Sequence, residues 1–251
     1  MLDIDIGNTR LKWRRQTPQG LQSGFIDTAS LCDTQLQLHW QGFDRPSRVR
    51  FVSVASSEAE QLLLEYCQRQ WSVAAEKAQS QSFQAGVTNS YVNYTTMGAD
   101  RWLAMLAGFN QGVGGCCVVD CGSAVTVDYV DDTGRHLGGY ITPGLRLMRK
   151  GLLSNTRQIH LPIEVLGRFD TRPGHSTEEA VGHGIELMLA ALAQRVARDV
   201  PKLLGDRARL LVTGGDAERF LEAAGEGKEC ADLVLDGLDW ALPDSQRVAR
   251  C

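Results

Sequence analysis

Apolar positions recur along this chain at two spacings, and the same succession of spacings occurs twice. Residues 1–6, 11–15 and roughly 21–26 are short apolar or alternating runs that predict three strands. A helix is expected over about 29–40, with Asp27 or Thr28 as its N-cap. Residues 49–54 predict a strand, 57–70 a helix with Leu62, Leu63, Tyr66 and Cys67 on one side, and 73–75 a weak strand. Residues 79–96 are polar and rich in Ser, Gln and Asn, and read as a long loop of the kind that often carries function. A helix follows over 99–109, then a glycine-rich break at 112–115.

The second half repeats the scheme. Strands are expected at 116–120, 125–130 and 136–141, the last two joined by the turn Asp131-Asp132-Thr133-Gly134. A helix is expected to start at Pro143, a favoured first-turn residue, and 155–175 reads as irregular. Ser176-Thr177-Glu178-Glu179 is a capping-box pattern that opens a long helix to about residue 200. A strand at 210–213, a helix at 216–224 and a last strand at 233–235 complete the series. The order β-β-β-α-β-α thus occurs twice. It predicts an α/β protein of two similar lobes, residues 1–115 and 116–251.

Within each repeat the first two strands are joined by the same phrase. Asp5-Ile6-Gly7-Asn8-Thr9 precedes Leu11-Lys12-Trp13, and Asp120-Cys121-Gly122-Ser123-Ala124 precedes Val125-Thr126-Val127. Glycine lets backbone amides approach a ligand, hydroxyl and amide side chains add hydrogen-bonding groups, and the Asp can hold a cation directly or through water. A single Asp-Gly-type turn is usually only a turn. Two copies, each behind an apolar strand, point to a pair of grips on a nucleotide's phosphates and its metal.

Composition narrows the alternatives. The chain has 251 residues, 43% of them hydrophobic, and a formal net charge of -4, which argues against a nucleic-acid binder working by bulk electrostatics. The apolar start is short and broken by Asp3 and Asp5, so neither a leader nor a membrane span is expected, and the protein reads as cytoplasmic. The seven cysteines (32, 67, 116, 117, 121, 230 and 251) include no C-x-x-C pair, and most read as small core residues, with Cys251 open to oxidation. There is no P-loop, no G-x-G-x-x-G and no G-x-S-x-G, which removes support for P-loop NTPases, dinucleotide binders, protein kinases and serine hydrolases. The five histidines lack metal spacing, and the five tryptophans read as core or interface.

Three further segments carry candidate chemistry. Gly98-Ala99-Asp100-Arg101 lies at a loop-to-helix junction, where an Asp complements the helix dipole and an Arg can be a plain surface residue. Yet the loop before it holds Tyr91, Asn93 and Tyr94, material for a substrate pocket. Asp suits a base for an alcohol attacking a phosphoryl group, and Arg suits a clamp on an anionic substrate. Gly138-Gly139-Tyr140-Ile141-Thr142-Pro143-Gly144 is explained at least in part by close packing. Thr213-Gly214-Gly215 reads equally as a surface for a flat ligand such as adenine or as an ordinary strand-to-helix turn.

Taken together and in order, the two hairpins, the second closed by Asp128, with Gly98-Ala99-Asp100-Arg101 and the Gly138–Gly144 segment, resemble type III pantothenate kinase across essentially the whole chain, through Thr213-Gly214-Gly215. The resemblance implies the fold of acetate and sugar kinases, actin and the large heat-shock chaperones. In that fold two ribonuclease-H-like lobes, each a mixed sheet flanked by helices, enclose an active site. It also implies transfer of the ATP γ-phosphoryl group to the 4'-hydroxyl of pantothenate, the first step of coenzyme A biosynthesis. By the same resemblance Asp5, Ile6, Gly7, Asn8, Thr9, Arg10, Leu11 and Lys12 form the first phosphate loop and Ser123 belongs to the second. Asp100 is the base, and Tyr91, Gly98, Ala99, Asp100, Arg101 and Thr177 contact pantothenate. Asp120 holds a monovalent cation, potassium or ammonium; magnesium is a further cofactor, and the family works as a homodimer with each substrate site completed near the subunit interface. No nucleic acid or membrane partner is implied. Ser123 stands where the family commonly has Thr, which keeps the hydroxyl and loses a methyl. Two other readings use the same residues: an ATP-binding switch or filament protein without kinase activity, in which Asp100-Arg101 has no evident purpose, and a ribonuclease-H-like nuclease with Asp5, Asp120 and Asp128 around metals.

Overall fold

The computed structural model describes residues 1–155 and 169–244. Part of the irregular stretch expected before Ser176, and both His160 and Cys251, lie outside the described residues.

The first repeat builds a five-stranded sheet from β1 (Leu2–Ile6), β2 (Arg10–Thr17), β3 (Gly20–Asp27), β4 (Val49–Ser53) and β5 (Ala75–Lys77), in the order β3-β2-β1-β4-β5. β1 pairs antiparallel with β2 and parallel with β4, so the strand bearing Asp5 is central. The second repeat builds the same sheet again. β8 (Cys116–Cys121), β9 (Ala124–Val130), β10 (His136–Pro143), β11 (Arg209–Thr213) and β12 (Lys228–Glu229) take the order β10-β9-β8-β11-β12, with β8 antiparallel to β9 and parallel to β11. The twofold scheme read from the sequence is therefore present in the first four strands of each sheet, while the fifth strand of the second sheet, β12, falls before the expected 233–235.

Helices follow the expected periodicity, with local differences. α1 (Asp33–Trp40) starts later than expected because 28–30 form a separate 3-10 turn. α2 (Ser57–Trp71) is capped by Ser56, whose Oγ accepts from Ala59 N, and it buries Leu63, Tyr66, Cys67 and Trp71. Trp40, Tyr66 and Trp71 pack ring on ring, with centroids 5.4 to 5.6 Å apart, so these tryptophans are core residues as expected. The polar 79–96 stretch holds a two-strand ribbon, β6 (Phe83–Gln84) and β7 (Val87–Thr88), and a 3-10 turn at 94–96. α3 (Ala99–Asn110) is buried nearly all round, from Arg101 to Gly108. α4 (Leu145–Asn155) begins after Pro143, which instead ends β10. α5 (Thr177–Leu204) is opened by the predicted cap: Ser176 Oγ accepts from Glu179 N at 3.1 Å, and the Glu179 carboxylate accepts from His175 N at 2.7 Å. α6 (Ala217–Ala224) ends at Gly225.

The largest departure is at the end of the chain. Residues 233–235 were expected to form a strand of the second lobe; they open a helix, α7 (Leu233–Ala241), that belongs to the first. The chain divides into one compact unit of 1–110 with 232–251 and another of 111–231. The expected boundaries at 115 and 116–251 are corrected accordingly. A short Leu-Val-Leu run reads as a strand by composition, but Leu233, Val234, Leu235, Gly237, Leu238 and Ala241 are all buried, which takes a helix with two apolar sides.

What holds α7 is a buried ion cluster. Arg50, 1% exposed on β4, uses all its donors. Nε and Nη2 bond Asp3 Oδ1 and Oδ2 at 2.8 and 2.9 Å, Nη2 also reaches Asp239 Oδ1 at 2.7 Å, and Nη1 reaches the carbonyls of Leu238 and Leu242. Arg14 adds a bond to Asp3 Oδ2 at 3.2 Å, one to Leu235 O and one to Asp236. Burial alone pulls the Arg50 guanidinium down; the hydrogen bonds and charges of Asp3 and Asp239 outweigh it and leave the group above its ordinary value. α7 in turn lies so close to α3 that a Cβ on Gly237 would sit 2.2 Å from Leu103 O.

Burial pushes the thiols of Cys67 and Cys116 up to about 12 and raises those of Cys117 and Cys121, as befits small core residues. Replacing Arg50 by Met is expected to cost about 3–5 kcal/mol of stability, since Asp3 stays buried with half its pairing gone. The urea midpoint measures this, and an unchanged midpoint contradicts the role given to the cluster.

Candidate active site

In the first unit the Asp5–Lys12 segment is the β1–β2 hairpin. Asp5 lies directly across from Lys12 and Ile6 from Leu11, so the two charged groups share one face of the sheet while Ile6 and Leu11, both fully buried, hold the other. The turn is closed by Gly7 N donating to Arg10 O at 3.0 Å. It is braced by Thr28, whose hydroxyl donates to Gly7 O at 2.8 Å and whose N–H donates to Thr9 O at 2.9 Å. Asn8, Thr9 and Arg10 are exposed at its tip. Arg10 is drawn to β3, with Nε 3.7 Å from Asp27 and its guanidinium over the Phe25 ring. Thr28 escaped the sequence reading, which saw it only as a candidate helix cap.

The second group lies at the start of α3. Asp100 Oδ1 accepts from Arg101 N at 2.8 Å, so the carboxylate is held over the helix N-terminus. A Cβ on Gly98 would come 2.6 Å from that same Oδ1, so the glycine is what leaves room for the Asp100 carboxylate. Arg101 is 6% exposed, and its Nη1 donates to the Tyr91 hydroxyl at 3.0 Å. The structure thus joins Tyr91, Gly98, Asp100 and Arg101, which the sequence separates by up to ten residues. Ala99 is the first residue of α3. α3 packs on β4, which is hydrogen-bonded to β1, so both groups stand on one framework.

In the second unit Asp120 occupies the position in β8 that Asp5 occupies in β1. It is half-buried near the carboxyl end of the central strand, opposite Thr213 of β11. The turn after it closes with Gly122 N donating to Ala124 O at 3.0 Å, and Ser123 is exposed at its tip. Two neighbouring segments press on this turn. Gly144 N donates to Ser123 O at 2.9 Å, and Asp216 N donates to Cys121 O at 3.1 Å. Gly214, at φ +95°, leaves no room for a side chain: a Cβ would lie 2.5 Å from Cys121 O and 2.6 Å from Asp120 Oδ1. Packing therefore accounts for Gly144 and Gly214, while Gly215 has open space around it. Thr177 is exposed at the first position of α5, in the second unit, whereas Tyr91, Asp100 and Arg101 belong to the first.

The donor set fits oxygen-ligated cations. Asp120 Oδ1 and the Cys121 carbonyl crowd the same point beside Gly214, a carboxylate and a carbonyl of the sort that hard cations take. Among the described residues no three His, Cys, Asp or Glu side chains gather into an all-protein metal cage. The nuclease arrangement loses its third carboxylate: Asp128 is 1% exposed and bonds His136 Nε2 at 3.0 Å inside the second core.

A sheet order repeated twice, each time delivering an Asp-x-Gly hairpin from its central strand, is the architecture of the actin-like ATPases. Solved structures share the fold. The chain is similar to a Baf family protein from Campylobacter jejuni, with a TM-score of 0.59, 19% identity and coverage of 95% of this chain and 96% of that one. It is also similar to component A of (R)-2-hydroxyglutaryl-CoA dehydratase from Acidaminococcus fermentans, with a TM-score of 0.51, 13% identity and coverage of 100% and 99%. Within this class the chain belongs to the type III pantothenate kinase family, whose sequence model matches residues 1–199. A type III pantothenate kinase of Marinobacter nauticus is 43% identical over 242 residues, 95% of this chain and 96% of that protein. One of Pseudomonas fluorescens (strain Pf0-1) is 36% identical over 250 residues, 97% and 99% of the two chains.

Gly214→Ala combines a left-handed backbone with a backbone collision, and is expected to cost about 2–4 kcal/mol. A lowered urea midpoint at unchanged slope is the readout; a wild-type midpoint contradicts the packing described for the Asp120 turn.

Proposed function

We propose that this chain is an ATP-dependent kinase that transfers the γ-phosphoryl group to the 4'-hydroxyl of pantothenate, opening coenzyme A biosynthesis. The observation that carries the assignment to residues is the start of α3, where Asp100, Arg101 and Tyr91 are locked to one another in a chain that belongs to the pantothenate kinase family. Asp100 accepts the proton of the substrate hydroxyl. Arg101, whose planar fork suits a carboxylate, clamps the acid end of pantothenate together with the Tyr91 hydroxyl, and Gly98, Ala99 and Thr177 complete the substrate contacts.

The reaction is an in-line displacement. The 4'-oxygen forms a bond to the γ-phosphorus, the bond to the β,γ-bridging oxygen breaks, and ADP leaves with that electron pair. Little covalent work falls to the protein, so its contribution is orientation and electrostatic preorganisation. The turn from Asp5 through Ile6, Gly7, Asn8, Thr9, Arg10 and Leu11 to Lys12 supplies backbone amides, hydroxyl and amide groups and one cation to the phosphates, and Ser123 supplies a second hydroxyl. Magnesium, when bound, neutralises charge on the phosphate oxygens. In this reading Asp5 would hold it with the nucleotide, and Asp120 would hold a potassium or ammonium ion.

The protein works in the cytoplasm as a homodimer, without nucleic acid or membrane partners. Among the described residues no helix is long and apolar enough to cross a membrane. The dimer is supported by apolar side chains left exposed in the second unit, Tyr140 and Ile141 on edge strand β10, Leu147 on α4, and Leu187 and Met188 on α5.

Asp100→Asn keeps the shape and the hydrogen bond to Arg101 N but cannot take the proton. The expected loss in kcat is about 10²- to 10⁴-fold, with the circular dichroism spectrum unchanged. Turnover near that of the wild type removes Asp100 from the role of base.

A further inference from the structure

The loop that carries Tyr91 is tied down at both ends by two small polar side chains. Asn89, 9% exposed at the end of β7, uses its whole amide. Oδ1 accepts from Tyr91 N at 3.0 Å, and Nδ2 donates to Gln81 O at 3.3 Å and lies 3.4 Å from Met97 Sδ. Its own N–H donates to Ser82 O at 2.9 Å. At the other end Ser80, 7% exposed, donates its hydroxyl to Met97 O at 2.9 Å, and Met97 is itself 3% exposed. The residues from 92 to 96 are exposed throughout, so the loop is an exposed span between two buried anchors. Those anchors adjoin the residues assigned to the substrate. Tyr91 is two positions beyond Asn89, and Gly98 follows Met97 directly.

We infer that Asn89 is a positioning residue for pantothenate, with Ser80 as its counterpart, and that it acts by fixing where Tyr91 meets Arg101. The inference rests on the reading of Tyr91 and Arg101 as pantothenate contacts. The Tyr91 backbone is placed by the Asn89 carbonyl oxygen, and its hydroxyl then accepts from Arg101 Nη1 at 3.0 Å. Through Met97 the same amide touches the segment that leads into Gly98 and Asp100. One side chain therefore bears on both walls of the substrate end. A buried asparagine that merely completes a loop would affect stability without selecting between substrates. A positioning residue affects the pantothenate step and leaves nucleotide binding alone, because the phosphate turns at Gly7 and Gly122 are closed by their own bonds.

The test is steady-state kinetics on the full chain with Asn89→Leu, Asn89→Asp, Ser80→Ala, Tyr91→Phe and Tyr91→Ala, varying pantothenate and ATP separately. Losing a hydrogen bond that orients a neutral group predicts a rise in pantothenate KM of about three- to tenfold for Asn89→Leu. The KM for ATP and kcat should stay within about twofold in the same variant, the scatter expected when no contact to that ligand is lost. Asn89→Asp keeps the acceptor for Tyr91 N and should recover most of the effect. Ser80→Ala, a milder change that tests the same loop if Asn89→Leu does not fold, should raise pantothenate KM without raising that for ATP. Adding Asn89→Leu to Tyr91→Ala should raise pantothenate KM clearly less than the same change does in the wild-type background, since no ring remains to be placed. Parallel losses in ATP KM and kcat, or additivity in the Tyr91→Ala background, overturn the inference. If Tyr91→Phe itself leaves pantothenate KM unaltered, it is the assignment of Tyr91 and Arg101 that fails.

Discussion

Each half of this protein is organised by a central strand that buries every side chain except one aspartate near its carboxyl end. In β1 the exception is Asp5 and in β8 it is Asp120. In a strand flanked on both sides and covered on both faces, burying a carboxylate is costly, and the cost is least where the strand ends. The Asp-x-Gly phrase follows from this. The glycine and the short polar residues after it turn the chain back as β2 or β9 while keeping backbone amides and hydroxyls beside the carboxylate. Parallel strands that end together gather such turns at one edge of each sheet, where ligands of α/β proteins bind.

The first unit adds a second constraint. Asp3, two residues before Asp5 and so on the same side of β1, is buried instead of exposed, and Arg50 neutralises it with a bidentate pair. The remaining donors of Arg50 hold α7, and α7 meets α3 backbone to backbone at Gly237 and Leu103. A continuous path therefore runs from the strand of the first Asp-x-Gly turn, through Arg50 and α7, to the helix whose first turn carries Asp100 and Arg101. In the proposed reaction an alcohol, a base and a phosphate chain are held at fixed separation, and this path would supply rigidity on the acceptor side. The return of the chain's end to the first unit has the same logic, since without α7 the face of α3 at Leu103 and the guanidinium of Arg50 would lie open.

Most of the strands and the doubling of the fold could be read from the sequence, because alternating apolar runs bounded by Asp-Gly turns are local signals. The capping box at Ser176 and the amphipathic face of α2 were legible for the same reason. What could not be read depends on partners far away in the chain. Leu233-Val234-Leu235 looks like a strand until Arg14 and Arg50, some two hundred residues earlier, are known to take its carbonyl and acidic neighbours. The candidate site divides in the same way. Gly98-Ala99-Asp100-Arg101 and the two hairpins stood out as phrases, and their resemblance to a family supplied the roles. Thr28, Ser80 and Asn89 did not stand out, because a lone hydroxyl or amide in a polar stretch has no pattern; only its hydrogen bonds show what it holds.

The central claim is that a scaffold made for ATP is committed to one acceptor by the residues around Asp100. ADP release measured side by side with pantothenate, glycerol, acetate and a hexose at saturating ATP tests it most directly. The account predicts sustained turnover with pantothenate alone and a product esterified at its 4'-hydroxyl. Comparable turnover with another acceptor, or ADP release that pantothenate does not stimulate, would contradict it.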